Sequence, residues 1–367
     1  MPELADIFRL HGPHYLELFS DQMLPSHTRA MRDIMECRTE ALGGHVYQCD
    51  QCGFVHYAYH SCRNRHCPKC HGKDTLDWIE ACRKLILPVT YFHLVFTLPA
   101  GLREIVRSHQ TLLLGILFRA AAYSLMKLAR DPHYLGAKTG IVAVVHTWTR
   151  AMVYHPHVHC LVPGGGISED GTKWLSSRKT FLVPVTALSL IFRAKFMQLA
   201  RAALPRMRFP DSLFKKEWVV YSKAAIQGAE KVVGYFARYV HRVAITNRRM
   251  LSMDGGQISF RYKDSRDGSW KTMTLAAQEF IRRFLQHVLP RLFHKVRYYG
   301  IFSPSNRHLL ERARELLTGM GQDDKRSSPD EPIIAEPAHV QPMFCPVCKT
   351  GHLIFIRTVP PKGRDPP

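Results

Sequence analysis

The sequence is short of negative charge. It sets 30 Asp and Glu against 51 Lys and Arg in 367 residues, a formal net charge of +21. That balance disfavours a small acidic metabolite as partner and favours a polyanion such as nucleic acid. The basic residues recur along the chain, in KKEW, HRVAITNRRM, IRRF and HKVR. A folded, broadly basic surface is therefore expected, and not a disordered basic arm. A long apolar run is also lacking: nothing reaches the roughly 18 uninterrupted apolar residues of a membrane span. The most apolar stretch, LLLGILFRAAAYSLM, is broken by Arg119. The opening MPELADIFRL has no basic region leading into an apolar core, so no signal peptide is expected. These absences predict no membrane partner and a cytoplasmic protein. No protein partner is named by the sequence.

Neither an internal repeat nor a strict strand-helix-strand rhythm is present. Helical periodicity covers 1 to 36, 73 to 87, 101 to 130, 185 to 203 and 229 to 240. Strands are expected at YFHLVFTLP (91 to 99), GIVAVVHTW (140 to 148), HVHCLVPG (157 to 164) and WVVYS (218 to 222). Three more follow in MLSMDG, QISFRYKD and KTMTL. This mixture predicts an α+β fold with a mostly antiparallel sheet and flanking helices. Three regions are expected: N-terminal helices with a cysteine-rich module over 1 to 85, a main domain over 86 to 305, and a C-terminal part over 306 to 367. The last holds a helix, a Pro- and Ser-rich linker at 321 to 342, and the pair CPVC.

Residues 37 to 72 contain six cysteines and few long aliphatics. Such a segment cannot build a hydrophobic core and needs a staple. In a reducing compartment cysteines are metal ligands or small buried hydrophobes more often than disulfides. The two C-x2-C knuckles, Cys49 with Cys52 and Cys67 with Cys70, have the spacing of a tetrahedral zinc ribbon and are expected to share one structural zinc. Cys37, Cys62 and His66 are left as alternative ligands, a second site or neighbours. CPVC supplies Cys345 and Cys348, half a site, and one hypothesis completes it with Cys37 and Cys62. Cys82 and Cys160 are solitary and expected in the core.

The stretch HPHVHCLVPGGG places His155, His157 and His159 on one face of a strand, with Val158 and Cys160 on the other. A hairpin turning near 150 to 154 would bring His146 beside His157 or His159, giving three converging imidazoles. His155 competes by parity, although Pro156 is expected to bend the strand there. The glycines that follow would let backbone or substrate approach closely. Tyr235 and Tyr239 lie four apart in a helical pattern and share a face. Arg238, His241, Arg242, Arg248 and Arg249 crowd the same region, a setting suited to phosphate. A phenol with a pKa near 10 needs a nearby positive field to attack phosphorus, and a metal held by the histidines would supply one.

These residues together resemble a known family. His157-Val158-His159 looks like the HUH motif, U being a hydrophobic residue, and FTLP (96 to 99) is similar to the first motif strand of rolling-circle initiators. Tyr235-x3-Tyr239 looks like the two-tyrosine motif. With CRNRHCPKC and YFARYVHRVAITNRR, the chain from about 30 to 305 resembles the rolling-circle insertion-sequence transposases of the IS-ninety-one type. Those carry a zinc-binding domain before the catalytic one. The resemblance implies an HUH-endonuclease-like catalytic fold and a catalytic Mg or Mn ion. It also implies nicking of single-stranded DNA at element ends, a 5′-phosphotyrosine intermediate and strand transfer to a target. By position, His157 and His159 match the metal ligands and Tyr235 and Tyr239 the nucleophiles; His146 is inferred as third ligand. The C-terminal knuckle carries Lys349 where Gly often follows CPxC. A plasmid replication initiator or relaxase would share this chemistry, and a non-catalytic zinc-ribbon DNA-binding protein would use the same module without cutting.

Overall fold

The computed structural model describes residues 2–215, 217–224, 229–240, 242–320 and 343–362. Helices α1 (Leu4–Phe19) and α2 (Pro25–Glu36) open the chain, and Pro25 sits in the first turn of α2, where a missing N–H costs nothing. The hairpin of β1 (Gly44–Cys49) and β2 (Val55–Tyr59) leads to α3 (His71–Arg83). Next come β3 (Tyr91–Thr97), α4 (Gln110–Arg130), β4 (Gly140–Trp148) and β5 (Tyr154–Pro163). They are followed by α5 (Val185–Ala203), β6 (Val220–Ala224) and α6 (Ala229–Val240). Strands β7 (Met250–Asp254), β8 (Gln257–Lys263) and β9 (Trp270–Ala276) precede α7 (Ala277–Leu285) and β10 (Val296–Gly300). Helix α8 (Arg307–Met320) and β11 (Leu353–Val359) complete the elements used below.

The fold is α+β with antiparallel sheets, as expected. Its central sheet has the order β10-β4-β5-β3-β6. Alternation sorts the side chains of the inner strands. Phe92, Leu94, Phe96, Ala143, Val145, Val158, Cys160 and Val162 are buried on the face covered by α4 and α5. Helix α4 is long and apolar enough by composition to cross a membrane, yet 67% of its most apolar window is buried within the protein. Leu113, Leu117 and Ala121 belong to the same core cluster as the sheet. Phe96 is fully buried here, and truncating such a side chain to Ala costs about 3–5 kcal/mol.

The opposite face carries Tyr91, Val142, Val144 and Leu161, packed with Val232, Val233 and Phe236 of α6. Farther along the same strands the apolar side chains of this face give way to histidines, and that change of chemistry locates the site. A second core joins α1 and α2 to α7 and to the β7-β8-β9 sheet. Phe8 meets Phe284 there edge-on, with ring centroids 5.4 Å apart. The N-terminal helices therefore share their core with residues near 280, and not only with the cysteine module.

Three expectations are revised. The strand expected from 157 begins at Tyr154 and includes Pro156, whose absent N–H falls in the register shift between His146 and Trp148 on β4. The glycines after Pro163 face the protein's own chain: a Cβ on Gly166 would lie 2.5 Å from the Lys138 carbonyl, and one on Gly165 2.6 Å from Trp174 Nε1. They admit the close backbone of a small sheet formed with Ala137–Lys138 and Trp174–Ser176. The strand expected over 218 to 222 begins at Val220.

Candidate metal centre and tyrosine pair

The β4–β5 hairpin sets His146 opposite His157 and Val144 opposite His159, and β3 sets Val95 opposite His159 and His93 opposite Leu161. Cross-strand partners share a face, so all four histidines emerge beside α6. His146, His157 and His159 offer ring nitrogens that lie within 4.8 Å of one another. One ring nitrogen of each is hydrogen-bonded. His157 Nδ1 donates to the His155 carbonyl at 2.6 Å, His146 Nε2 donates to the Tyr239 carbonyl at 2.6 Å, and His159 Nδ1 is 2.9 Å from His93 Nε2. The Tyr239 carbonyl belongs to the last turn of α6, where carbonyls have no partner within the helix and the helix dipole favours a cation. His146 also stacks on Trp148 with centroids 4.6 Å apart.

Burial holds these rings neutral. It pushes the pKa of His157 and of His93 down to about 4 and those of His146 and His159 well below the usual histidine value. A neutral imidazole with one nitrogen fixed by a hydrogen bond is a metal ligand already in the right tautomer. The chemistry of the donor set therefore fits a divalent ion. Three imidazoles suit Mn or a later transition ion better than Mg, which prefers oxygen. The carboxylate lining the adjoining cavity, Asp264, is held 2.6 Å from Lys271. His155 stays outside the cluster: its Nδ1 lies 3.3 Å from an Arg103 nitrogen.

Both tyrosines stand on the α6 face that meets the histidines. The Tyr239 hydroxyl donates to the Tyr235 hydroxyl at 3.0 Å, and His93 Nδ1 lies 3.0 Å from the same Tyr235 oxygen. Tyr239 packs over His159, with centroids 4.4 Å apart. A cavity of about 720 Å³ opens on the three histidines and Tyr239 and is bordered by Arg150, Arg242, Lys263 and Arg266. Arg249 anchors this rim from behind, its guanidinium bonded to the carbonyls of Arg150 and Arg261. Arg248 is exposed on the preceding turn and does not line the cavity. His241 and the side chain of Arg238 lie outside the described residues, as does the segment 321 to 342.

His93 is the site residue that sequence reasoning missed. Alternation along YFHLVFT puts it on the face of Val95, but its meeting with His159 depends on the β3–β5 register, which the sequence does not print.

The cysteines pair differently from the expected Cys49-Cys52-Cys67-Cys70 site. One cluster joins Cys37, Cys62, Cys67 and Cys70, the other Cys49, Cys52, Cys345 and Cys348. The hairpin is the reason: Cys49 and Cys52 sit at its turn, while Cys62, Cys67 and Cys70 follow β2, about 17 Å of strand away at ~3.3 Å per residue. Cys37 ends α2 and Cys70 caps α3, their sulfurs 3.4 Å apart. The hypothesis that Cys345 and Cys348 join Cys37 and Cys62 is likewise overturned. His66 belongs to neither cluster, and its Nε2 accepts the Leu289 N–H. Cys82 and Cys160 are buried in the core, as expected.

Comparison with known proteins adds family relationships. The model described as "Putative transposase" matches residues 140–308, and that described as "Transposase zinc-binding domain" matches residues 7–98. A protein of Sinorhizobium fredii named "Putative transposase y4qJ" is 40% identical over 99% of this chain and 98% of its own length. The "Transposase for insertion sequence element IS801" of Pseudomonas savastanoi is 29% identical over 74% of this chain and 68% of its own. No solved structure matches the chain significantly.

Proposed function

The chain belongs to the insertion-sequence transposases of the IS-ninety-one type with an N-terminal zinc-binding domain, and from that premise we propose that it nicks and transfers single-stranded DNA through a tyrosine nucleophile beside a histidine-held metal. The observation that carries this reading is the convergence of three imidazoles, each with a ring nitrogen held by a hydrogen bond, and two phenols on the adjoining helix. His146, His157 and His159 would hold the ion, which would supply charge stabilisation at a scissile phosphate. Arg150, Arg242, Lys263 and Arg266 seat the neighbouring phosphates.

Tyr235 acts first. In the tautomer that keeps its proton on Nδ1, His159 donates to His93 Nε2. His93 then carries its own proton on Nδ1 and donates to the Tyr235 oxygen. That oxygen receives a second hydrogen bond from Tyr239, and two donors favour the charge that grows on a phenol as it attacks. The new bond joins the Tyr235 oxygen to phosphorus while the phenol gives its proton to solvent water, and the bond broken is that from phosphorus to the 3′ oxygen, which takes a proton from water and leaves as a hydroxyl. The 5′-phosphotyrosine keeps the bond energy, so a 3′ hydroxyl of target DNA can reverse the step without ATP. Tyr239 is placed for a second transfer. The fold reading that accompanies this function is an HUH-endonuclease-like sheet, and the Cys37-Cys62-Cys67-Cys70 cluster is the structural zinc site of the zinc-binding domain.

The test is a denaturing gel of the purified protein with labelled single-stranded DNA from an element end, with and without Mg or Mn. A metal-dependent, protease-sensitive shift that disappears when Tyr235 and Tyr239 are both Phe is expected. DNA binding without any covalent product on any end tested would sink the proposal.

A further inference from the structure

The cluster of Cys49, Cys52, Cys345 and Cys348 lies half outside the residues matched by the zinc-binding family model, and it brings together the two ends of the chain. Its sulfurs are arranged for a metal. Cys49 Sγ is 3.6 Å from Cys348 Sγ and Cys52 Sγ is 3.6 Å from Cys345 Sγ, and all four lie within 4.8 Å of one another. Zinc-sulfur bonds of about 2.3 Å in a tetrahedron place sulfurs ~3.8 Å apart. No disulfide competes, since all four thiols are free.

The two knuckles are built alike. Gly53 N–H donates to the Cys49 carbonyl at 3.1 Å, and Lys349 N–H donates to the Cys345 carbonyl at 3.0 Å. Amides also point at sulfur: Cys52 N lies 3.5 Å from Cys49 Sγ and Gly351 N 3.3 Å from Cys348 Sγ. Such N–H groups offset thiolate charge. Gly53 takes a φ of +71°, and Lys349, its counterpart, takes +62°. For a residue with a Cβ that region costs about 1–2 kcal/mol, and such strain persists only where the surroundings impose it. The lysine where a glycine is usual therefore leaves the knuckle geometry intact.

The ends are also fitted to each other. Strand β11 pairs with β1 from Gly44 opposite Val359 to Cys49 opposite Leu353. Asp50 Oδ1 accepts the His352 N–H at 2.8 Å, and the Thr350 hydroxyl donates to Gln51 Oε1 at 2.8 Å. A Cβ on Gly351 would fall 2.5 Å from Cys49 Sγ. Yet this contact has little core, because Ile354, Phe355 and Ile356 are all at least half exposed. A three-stranded sheet with so little buried apolar surface needs another source of stability.

We propose that Cys49, Cys52, Cys345 and Cys348 bind a second structural zinc that fastens the C-terminal segment onto the N-terminal module as its third strand. The site is independent of the histidine and tyrosine chemistry and does not rest on the DNA-cutting reading. Zinc is its staple, and zinc removal releases residues 343–362 from β1.

The test is the zinc content of the full chain by elemental mass spectrometry, expected at two ions per chain, falling to one when Cys345 and Cys348 are both Ser. A count that does not change in that variant, or a single ion in the wild type, would overturn the site. Should the variant fail to fold, the wild-type protein gives the answer by timed alkylation under a chelator. Cys49, Cys52, Cys345 and Cys348 are then expected to become reactive together, apart in time from Cys37, Cys62, Cys67 and Cys70. Alkylation of Cys345 and Cys348 before chelator is added, with Cys49 and Cys52 still protected, would overturn the proposal.

Discussion

His93 stands between His159 and Tyr235, with one ring nitrogen 2.9 Å from His159 Nδ1 and the other 3.0 Å from the Tyr235 hydroxyl. A single imidazole thus connects the histidine cluster to the phenol, and neither ring nitrogen is left over. The arrangement has one direction when His159 carries its proton on Nδ1, because His93 then accepts on Nε2 and donates from Nδ1.

His93 is accordingly a positioning residue. Changing it to Ala removes the partner of His159, a proposed metal ligand, and losses of this kind lower metal affinity by about 10- to 100-fold. Nicking is expected to fall at least as far, since Tyr235 also loses a donor. His93→Gln, which keeps an N–H donor, is expected to restore part of both. Calorimetry with Mn and single-turnover nicking read the two effects separately. Unchanged Mn affinity in His93→Ala would show that the ring only fills space.

The tyrosines are expected to be unequal. Tyr235→Phe removes the proposed first nucleophile and should lower initial nicking by on the order of 10³ or more. Tyr239→Phe removes the hydroxyl 3.0 Å away that donates to Tyr235. A hydrogen bond to a charged oxygen contributes about 1.5–3 kcal/mol, so nicking should slow ~10- to 100-fold while the covalent product still forms. The adduct mapped by mass spectrometry on the Tyr239→Phe protein should sit on Tyr235. The reverse pattern, with Tyr235→Phe nicking normally, would assign the first step to Tyr239.

Much of this was legible in the sequence, and the gaps have one physical source. Periodicity located the inner strands and most helices, because alternation and 3.6-residue spacing are local signals. Parity along HPHVH, with a hairpin near 150, correctly joined His146 to His157. What failed depended on distant partners. Val296–Gly300 and Leu353–Val359 were not expected as strands; each pairs with a strand far away in sequence. The three C-x2-C knuckles each supply two sulfurs to one cluster, as their spacing implied, but spacing within a knuckle says nothing about which knuckles meet. Only the length of the β1–β2 hairpin separates Cys49 from Cys67.

Gly166 tests whether the glycines after β5 serve packing or substrate. An added Cβ would meet the Lys138 carbonyl at 2.5 Å, backbone that cannot swing aside. Overpacking of this kind costs about 1–3 kcal/mol. Gly166→Ala is therefore expected to lower the thermal midpoint by several degrees while leaving Mn affinity and the rate of nicking, measured well below that midpoint, close to wild type. A variant of full stability but poor nicking would return these glycines to the substrate.

Metal binding itself discriminates among the histidines of one strand. His157→Ala and His146→Ala each remove a converging nitrogen, and Mn affinity should drop at least tenfold for either, by analogy with the 10- to 100-fold lost when only a supporting partner is removed. His155→Ala should change it little, because the His155 ring faces Arg103 and contributes to the cluster through its carbonyl, which alanine retains. The all-imidazole donor set further predicts tighter binding of Mn than of Mg. Because burial keeps the His157 pKa near 4, protons should not compete with the ion between pH 6 and 8, and affinity should stay nearly flat across that window. Titration of the Mn electron-spin signal with each variant measures all of this without DNA. A drop for His155→Ala equal to that for His157→Ala would mean that the ion sits one residue pair nearer the strand's beginning than the three anchored rings require.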